Sequence, residues 1–240
     1  MEDNEFILET VEEEYSAALC HPESHESLAA CEGGWSDGTA FFPLIGGIGC
    51  FLPAAEHRLR RQSCGDMLKA LADLSRWTLA LCSGRDLLGE RRALLDGLAS
   101  QEERRVLELS PGTGLDIQAL PEDLDFYGVD ADPSKLQRSR HNLSRSGRTA
   151  RLFCADASHL PFLDESFDAV LHGGDLRLSP EPCRVLDEMI RVARPGSVVS
   201  VIDRADPNIK PRLWVPAAMS EIELVFSPSN TLYRLSFRRP

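Results

Sequence analysis

From Arg104 onward the chain alternates between two periods. Short apolar runs, VLEL, DFYGVD, ARLFCAD, FDAVLHG and SVVSVID, read as strands, while Pro133 to Ser146 and Pro182 to Val192 carry helical spacing. This alternation predicts crossover units, and so a parallel sheet with helices on its faces. At the end, EIELVFS and LYRLSFRR flank PSNT and predict a hairpin. Between His57 and about Gln101 the period is helical, with Leu59, Met67, Leu68, Leu71 and Leu74, then Leu87, Leu88, Leu94, Leu95 and Leu98, three and four residues apart. The first 56 residues are rich in Gly, and pieces such as FFPLIGGIGCFLP predict small strands and turns. The pattern thus divides the chain into 1–56, 57–101 and 102–240, with no internal repeat.

Length and composition narrow the class. A chain of 240 residues suits one ordinary domain with an appendage, or two small ones, and 42% hydrophobic with 27% charged residues is a globular balance. No apolar run approaches the ~20 residues of a membrane span. The opening MEDNEFILETVEEEYSAALC is acidic where a secretory signal is basic, so no export signal and a cytoplasmic location are expected. Seven cysteines, odd in number and without a C-x-x-C pair, predict reduced thiols.

The charge is unevenly placed. Residues 1–56 hold twelve acids and no Lys or Arg, so the whole net charge of -12 lies there. Such a segment repels phosphate and argues against a nucleic-acid partner. Two readings of it stand: a solvated acidic face, or a surface for a protein partner.

Residues Val106 to Asp116, VLELSPGTGLD, run from a strand into a glycine-bearing turn and then a helix. Such a turn gathers backbone N–H groups at a positive helix end, and glycine lets a ligand approach the chain. It also serves as plain strand punctuation, so the next strand tips matter. Asp130, ending DFYGVD, stands where a carboxylate accepts hydrogen bonds from ribose hydroxyls. Asp132 has a sufficient local job, capping a helix whose first residue is Pro133. Asp156 stands at the tip after ARLFC, with an Asx turn as its local alternative.

ELSPGTG, YGVDADP, CADASHLPFLDESFDAVLHG and LDEMIRVARPGSVVSVID, in this order and spacing, resemble the class I S-adenosylmethionine-dependent methyltransferases, above all the ubiquinone and menaquinone biosynthesis type. The resemblance spans roughly residues 104 to 203, with the terminal hairpin as the expected addition. It implies an α/β fold: a Rossmann-like, seven-stranded, mostly parallel sheet with a C-terminal antiparallel hairpin, beside a small N-terminal β-rich module and a helical connector. The implied cofactor is S-adenosylmethionine, with S-adenosylhomocysteine as product. By position, Glu108, Gly112 and Gly114 fall to the loop around its methionine part, Asp130 to the ribose, Ala131 to the adenine face, and Asp156 with Ala157 to the adenine edge. Ser110 replaces the glycine usual at its place and joins this set. Pro121, soon after Gly114, shortens the following helix. A nicotinamide enzyme fits worse, because G-x-G-x-x-G is absent.

Substrate would enter beyond the carboxyl ends of the strands. There His172, which is counted in the cofactor-binding set, is the candidate base, and Asp203 is a second site candidate. The alternative for His172 is a histidine hydrogen-bonded at a strand end. The Asn-Pro-Pro-Tyr signature of amino-directed nucleic-acid methyltransferases is missing. Trp77 is read either as pocket lining or as core, and the arginines of the connector, Arg91 among them, are assigned no role.

The segment ALCHPESHESLAACEGGWSDGTAFFPLIGGIGCFLP is similar to the zinc-ribbon module that precedes many bacterial methyltransferase domains. Its ligands do not match: Cys20 and Cys31 each lack a second cysteine, Gly34 fills one such place, and only His21 and His25 offer substitutes. A metal-free, degenerate ribbon is expected, serving as substrate cover or partner contact. Three functional readings follow. The first is methyl transfer to a small biosynthetic or tailoring acceptor, the second an RNA methyltransferase, and the third a non-catalytic scaffold on the same fold. Acceptor atom and oligomeric state stay open.

Overall fold

The computed structural model describes residues 19–52, 86–96, 98, 105–174, 176, 179–205, 215–216 and 218–240. The predicted helical stretch that carries Leu59 to Trp77 lies outside the described residues. Four short strands come first: β1 (Ala29–Cys31), β2 (Gly34–Ser36), β3 (Phe41–Ile45) and β4 (Ile48–Cys50). After helix α1 (Leu87–Leu95) follow β5 (Arg105–Leu109), α2 (Leu115–Ala119), β6 (Asp125–Asp130), α3 (Pro133–Arg145), β7 (Arg151–Cys154) and β8 (Phe167–His172). Helix α4 (Pro182–Val192), β9 (Ala193–Arg204) and the hairpin β10 (Ser220–Phe226) and β11 (Leu232–Arg238) complete the described elements.

The helix ends follow local chemistry. Asp86 caps α1 by accepting from Gly89 N at 2.8 Å, and Asp132 caps α3 by accepting from Ser134 N at 2.9 Å, with Pro133 in the first turn. Helix α2 stops at Ala119, ahead of Pro121, as the sequence predicts.

Among the described residues eleven strands join one sheet, in the order β1-β2-β3-β4-β7-β6-β5-β8-β9-β11-β10. From β4 to β9 every neighbouring pair is parallel, and β11 and β10 add antiparallel beyond β9. The expected seven-stranded sheet is therefore corrected: the run from β7 to β10 does hold seven strands, but β4 pairs in parallel with β7 and carries β1 to β3 with it. The physical reason is that an open β7 edge would leave a row of backbone groups unpaired, and IGC is too short to read as a parallel strand.

Chain order reverses at β5, with β6 and β7 on one side and β8 and β9 on the other. Crevices for ligands open at such a switch, outside the carboxyl ends of the strands. One face of the sheet packs Leu107, Leu109, Tyr127, Phe153, Phe162 and Phe167, and this core takes in Leu19, Trp35 and Phe51 from the N-terminal segment. The other face sets Val106, Phe126 and Leu171 against Leu94 and Leu95 of α1, Ile117 of α2 and Leu143 of α3. Among the described residues no helix is long and apolar enough to cross a membrane.

Candidate cofactor site

The loop after β5 turns on three residues in left-handed backbone: Ser110 (φ 57), Gly112 (φ 55) and Gly114 (φ 78). Serine pays a steric penalty there of roughly 1 kcal/mol that glycine escapes, which explains the family preference that Ser110 departs from. Two backbone bonds tie the turn nevertheless, Ser110 N donating to Val129 O at 2.8 Å and Gly114 N to Pro111 O at 2.7 Å.

Beneath this loop the structure gathers acceptors. A Cβ added to Gly173, just beyond β8, would meet Glu108 Oε1 at 2.6 Å, Asp116 Oδ2 at 3.0 Å and Ser110 O at 3.4 Å. Both carboxyl groups are buried, and Glu108 Oε2 and Asp116 Oδ1 have no hydrogen-bond partner. Burial pushes the Glu108 carboxyl well above the usual range; neighbouring Asp116 and Asp130 push the same way, while Arg91 opposes. Asp116 is also raised by burial, against the pull of Arg91 and of the hydrogen bond that Glu108 supplies. Of the pair, Glu108 is the carboxyl whose surroundings favour the proton, while Arg91 Nη1 holds Asp116 Oδ2 at 3.0 Å.

Sequence reasoning missed both Asp116 and Arg91. An acid flanked by Leu115 and Ile117 in a short helix was the available signal for Asp116. Arg91 looks like any solvated helix arginine until α1 is seen packed on α2.

The other predicted residues lie along the neighbouring strand tips. Asp130 is buried at the end of β6, where its Oδ1 accepts from Asp132 N at 2.9 Å and Lys135 Nζ stands 3.7 Å from Oδ2. Ala131 beside it is half-buried. Asp156, exposed after β7, accepts from Ser158 N at 2.9 Å and Ser158 Oγ at 2.8 Å, so the Asx turn is formed; Ala157 is half-buried. Beyond it a cleft of about 270 Å³ is lined by His25, His159, Arg184 and Glu188 among others, and by none of the predicted site residues.

His172 ends β8, buried, with Nδ1 accepting from Gly174 N at 3.4 Å. Burial pulls its pKa down to about 4, against the attraction of Asp203, itself buried on β9. The ring is therefore neutral at pH 7, and a base of that strength accepts a proton only weakly.

At the N-terminal end, His21 Nδ1 accepts from Glu23 N at 3.2 Å and Ser24 N at 3.3 Å, so this ring organises a turn. Cys20 is buried, its thiol pushed up to about 11 mainly by burial, while Cys31 is exposed. Among the described residues no three His, Cys, Asp or Glu side chains gather in a way that could hold a metal ion.

A parallel sheet with a glycine turn at its switch point, followed by carboxylates on successive strand tips, is the arrangement of a nucleoside-binding α/β domain. Residues 107–201 match the family described as Methyltransferase domain. The chain is 37% identical over 145 residues to a demethylmenaquinone methyltransferase of Beutenbergia cavernae, covering 60% of this chain and 55% of that one. It is 33% identical over 121 residues to a phosphatidylethanolamine N-methyltransferase of Cereibacter sphaeroides, covering 50% and 60%. The chain thus spans little more than half the length of these two relatives. A SAM dependent methyltransferase from Aquifex aeolicus shares the fold, with a TM-score of 0.50 at 16% identity over 62% of this chain and 88% of that one. Residues 107–201 thus match a methyltransferase domain, on a fold shared with a SAM dependent methyltransferase.

The residues present suit S-adenosylmethionine. Buried oxygens of Glu108 and Asp116 that lack donors suit a ligand that brings an ammonium or a sulfonium.

Proposed function

We propose that this chain transfers a methyl group from S-adenosylmethionine to a small-molecule acceptor. One observation carries the reading: the buried carboxyl groups of Glu108 and Asp116 gather beneath the glycine turn after β5, and Asp130 ends the neighbouring strand β6. Glu108, Ser110, Gly112 and Gly114 hold the methionine part, Asp130 binds the ribose, and Ala131 flanks the adenine, whose edge meets Asp156 and Ala157. Once bound, the cofactor supplies a methyl group on sulfur that is already a good electrophile, so the protein's main tasks are to position the acceptor and exclude water. His172, neutral and buried, is the candidate to accept a proton from that acceptor.

A small acceptor is supported by the relatives named for a quinone precursor and a phospholipid. The acidic first 56 residues weigh against RNA. Residues 102–240 serve as the catalytic domain, 57–101 as connector and substrate cover, and 1–56 as a metal-free module that contacts a protein partner or covers substrate.

Calorimetric titration with S-adenosylmethionine and S-adenosylhomocysteine, beside an Asp130→Ala variant, tests the reading. Saturable binding by wild type and a loss of roughly tenfold or more in the variant is expected, as for a removed charged hydrogen-bond partner. Absence of binding by folded wild type at millimolar cofactor would point to the scaffold reading instead.

A further inference from the structure

We infer that the cleft of about 270 Å³ between the N-terminal segment and α4 is a second binding site, for a small zwitterion whose carboxylate meets Arg184 and whose ammonium meets Glu23. None of the residues assigned to the cofactor lines this cleft, so the inference stands beside the cofactor reading and does not rest on it.

Three walls meet there. Glu23 and His25 come from the N-terminal segment, Ser158 and His159 from the loop after β7, and Arg184 and Glu188 from α4. Each wall is held by its own bonds. His25 N donates to His21 O at 2.9 Å, closing the turn that presents Glu23, and Cys20 N donates to Pro161 O at 3.1 Å, tying that turn to the loop. Arg184 Nε donates to Ser158 O at 3.1 Å, which orients the guanidinium. A ligand therefore meets walls that are already in place, and the cost of ordering them at binding is small.

The charges decide what kind of ligand fits. Glu188 is already occupied: Arg191 donates to both its oxygens, and Leu160 N donates to Oε2 at 2.8 Å. Two opposite charges on different walls remain. Among the described residues the Nη groups of Arg184 have no partner, the Glu23 carboxylate receives no donor, and the two do not pair with one another. A plain anion would suit Arg184 and be repelled by Glu23, and a plain cation would meet the reverse; a molecule with both charges suits both walls. The planar fork of arginine matches a carboxylate with two parallel hydrogen bonds. His159 adds an acceptor for the other end. Ser158 Oγ gives its proton to Asp156 Oδ1 at 2.8 Å, so His159 Nδ1, 3.0 Å away, donates to Ser158 Oγ, and Nε2 of the neutral ring is left to accept from an ammonium. The volume lies just below the roughly 300 Å³ at which pockets for drug-sized ligands begin, so the occupant is of small-metabolite size.

The test titrates the full chain with glycine, β-alanine, γ-aminobutyrate and ε-aminocaproate, zwitterions of rising charge separation, beside butyrate and butylamine, which carry one charge each. The ring resonances of His25 and His159 in NMR spectra report occupancy at the cleft itself. Both rings are expected to shift saturably with at least one zwitterion, at a Kd on the order of 1 mM because the two charges are exposed, and about fivefold or more tighter than with either single-charge compound. Arg184→Gln and Glu23→Gln, both at exposed positions, should each weaken that binding by about fivefold or more, and Arg184→Lys should retain part of it. No saturable shift with any zwitterion up to about 50 mM would overturn the inference. Butyrate binding as tightly as γ-aminobutyrate would overturn it in favour of a plain anion site, and butylamine doing so in favour of a plain cation site. Shifts unchanged in both glutamine variants would place the ligand elsewhere and overturn it too. None of these readouts involves the cofactor, so a failure here leaves the cofactor reading untouched.

Discussion

Cys50 of β4 and Cys154 of β7 are register partners in neighbouring parallel strands. Their pairing turns the N-terminal segment from an attachment into a continuation of the sheet. Behind it, Trp35 stacks on Phe51 at 6.1 Å and meets Phe153 at 6.4 Å, so one aromatic cluster spans the junction. Replacing Trp35 with Ala should therefore destabilise the whole protein by about 3–5 kcal/mol, the usual cost of emptying a buried aromatic site. Urea unfolding followed by circular dichroism is expected to remain a single transition at lower denaturant. A loss below about 1 kcal/mol would show that the junction contributes little.

Legibility in the sequence follows the range of each interaction. The strands around the switch point are evident because Leu107, Leu109, Val129 and Phe153 are buried in runs that no amphipathic helix would show. The cap at Asp132 is local and equally plain. The β4–β7 pairing joins residues about a hundred positions apart through a three-residue strand, and nothing in IGC announces its partner. Arg91 and Asp116 are 25 positions apart, and their meeting depends on how α1 packs against α2. Positions on strand tips are thus legible in the sequence, and contacts that tertiary packing supplies are not.

Ser110 offers a test of backbone strain. Its φ of 57 places a side chain where glycine is at ease. Ser110→Gly should raise stability by roughly 0–0.6 kcal/mol, the relieved penalty less the entropy that glycine adds to the unfolded chain. Thermal unfolding measures this. A decrease of more than about 1 kcal/mol would mean that the serine side chain makes a contact worth more than the strain.

His172 makes an acid-side prediction. Its folded pKa is about 4 against an ordinary 6.5, so the unfolded chain binds more protons between those values. Stability from this group is then present above pH 6.5 and falls as pH drops toward 4, by an amount on the order of 3 kcal/mol. An NMR titration should leave the His172 ring nitrogens neutral down to pH 5, and His172→Gln should flatten the acid limb of the stability profile. A midpoint near 6.5 for this ring would contradict its burial.

Glu108 predicts the opposite slope. Its carboxyl is raised well above 4.5 in the folded protein, so the folded state holds a proton that the unfolded chain releases. The stabilising contribution is present below pH 4.5 and declines as pH rises toward the folded value, a decline that Glu108→Gln should remove. The groups facing it are Asp116 and Asp130, which favour the proton, and Arg91, which opposes it. An ammonium placed beside Glu108 would reverse that balance, because a nearby cation favours the ionised carboxylate. Binding of S-adenosylhomocysteine is therefore expected to release protons, and its affinity to rise with pH until Glu108 is ionised without help. Calorimetry near pH 6 in two buffers of different ionisation enthalpy reads that release directly. Glu108→Gln should reduce it, and heats that are identical in both buffers would place the ammonium away from this carboxyl.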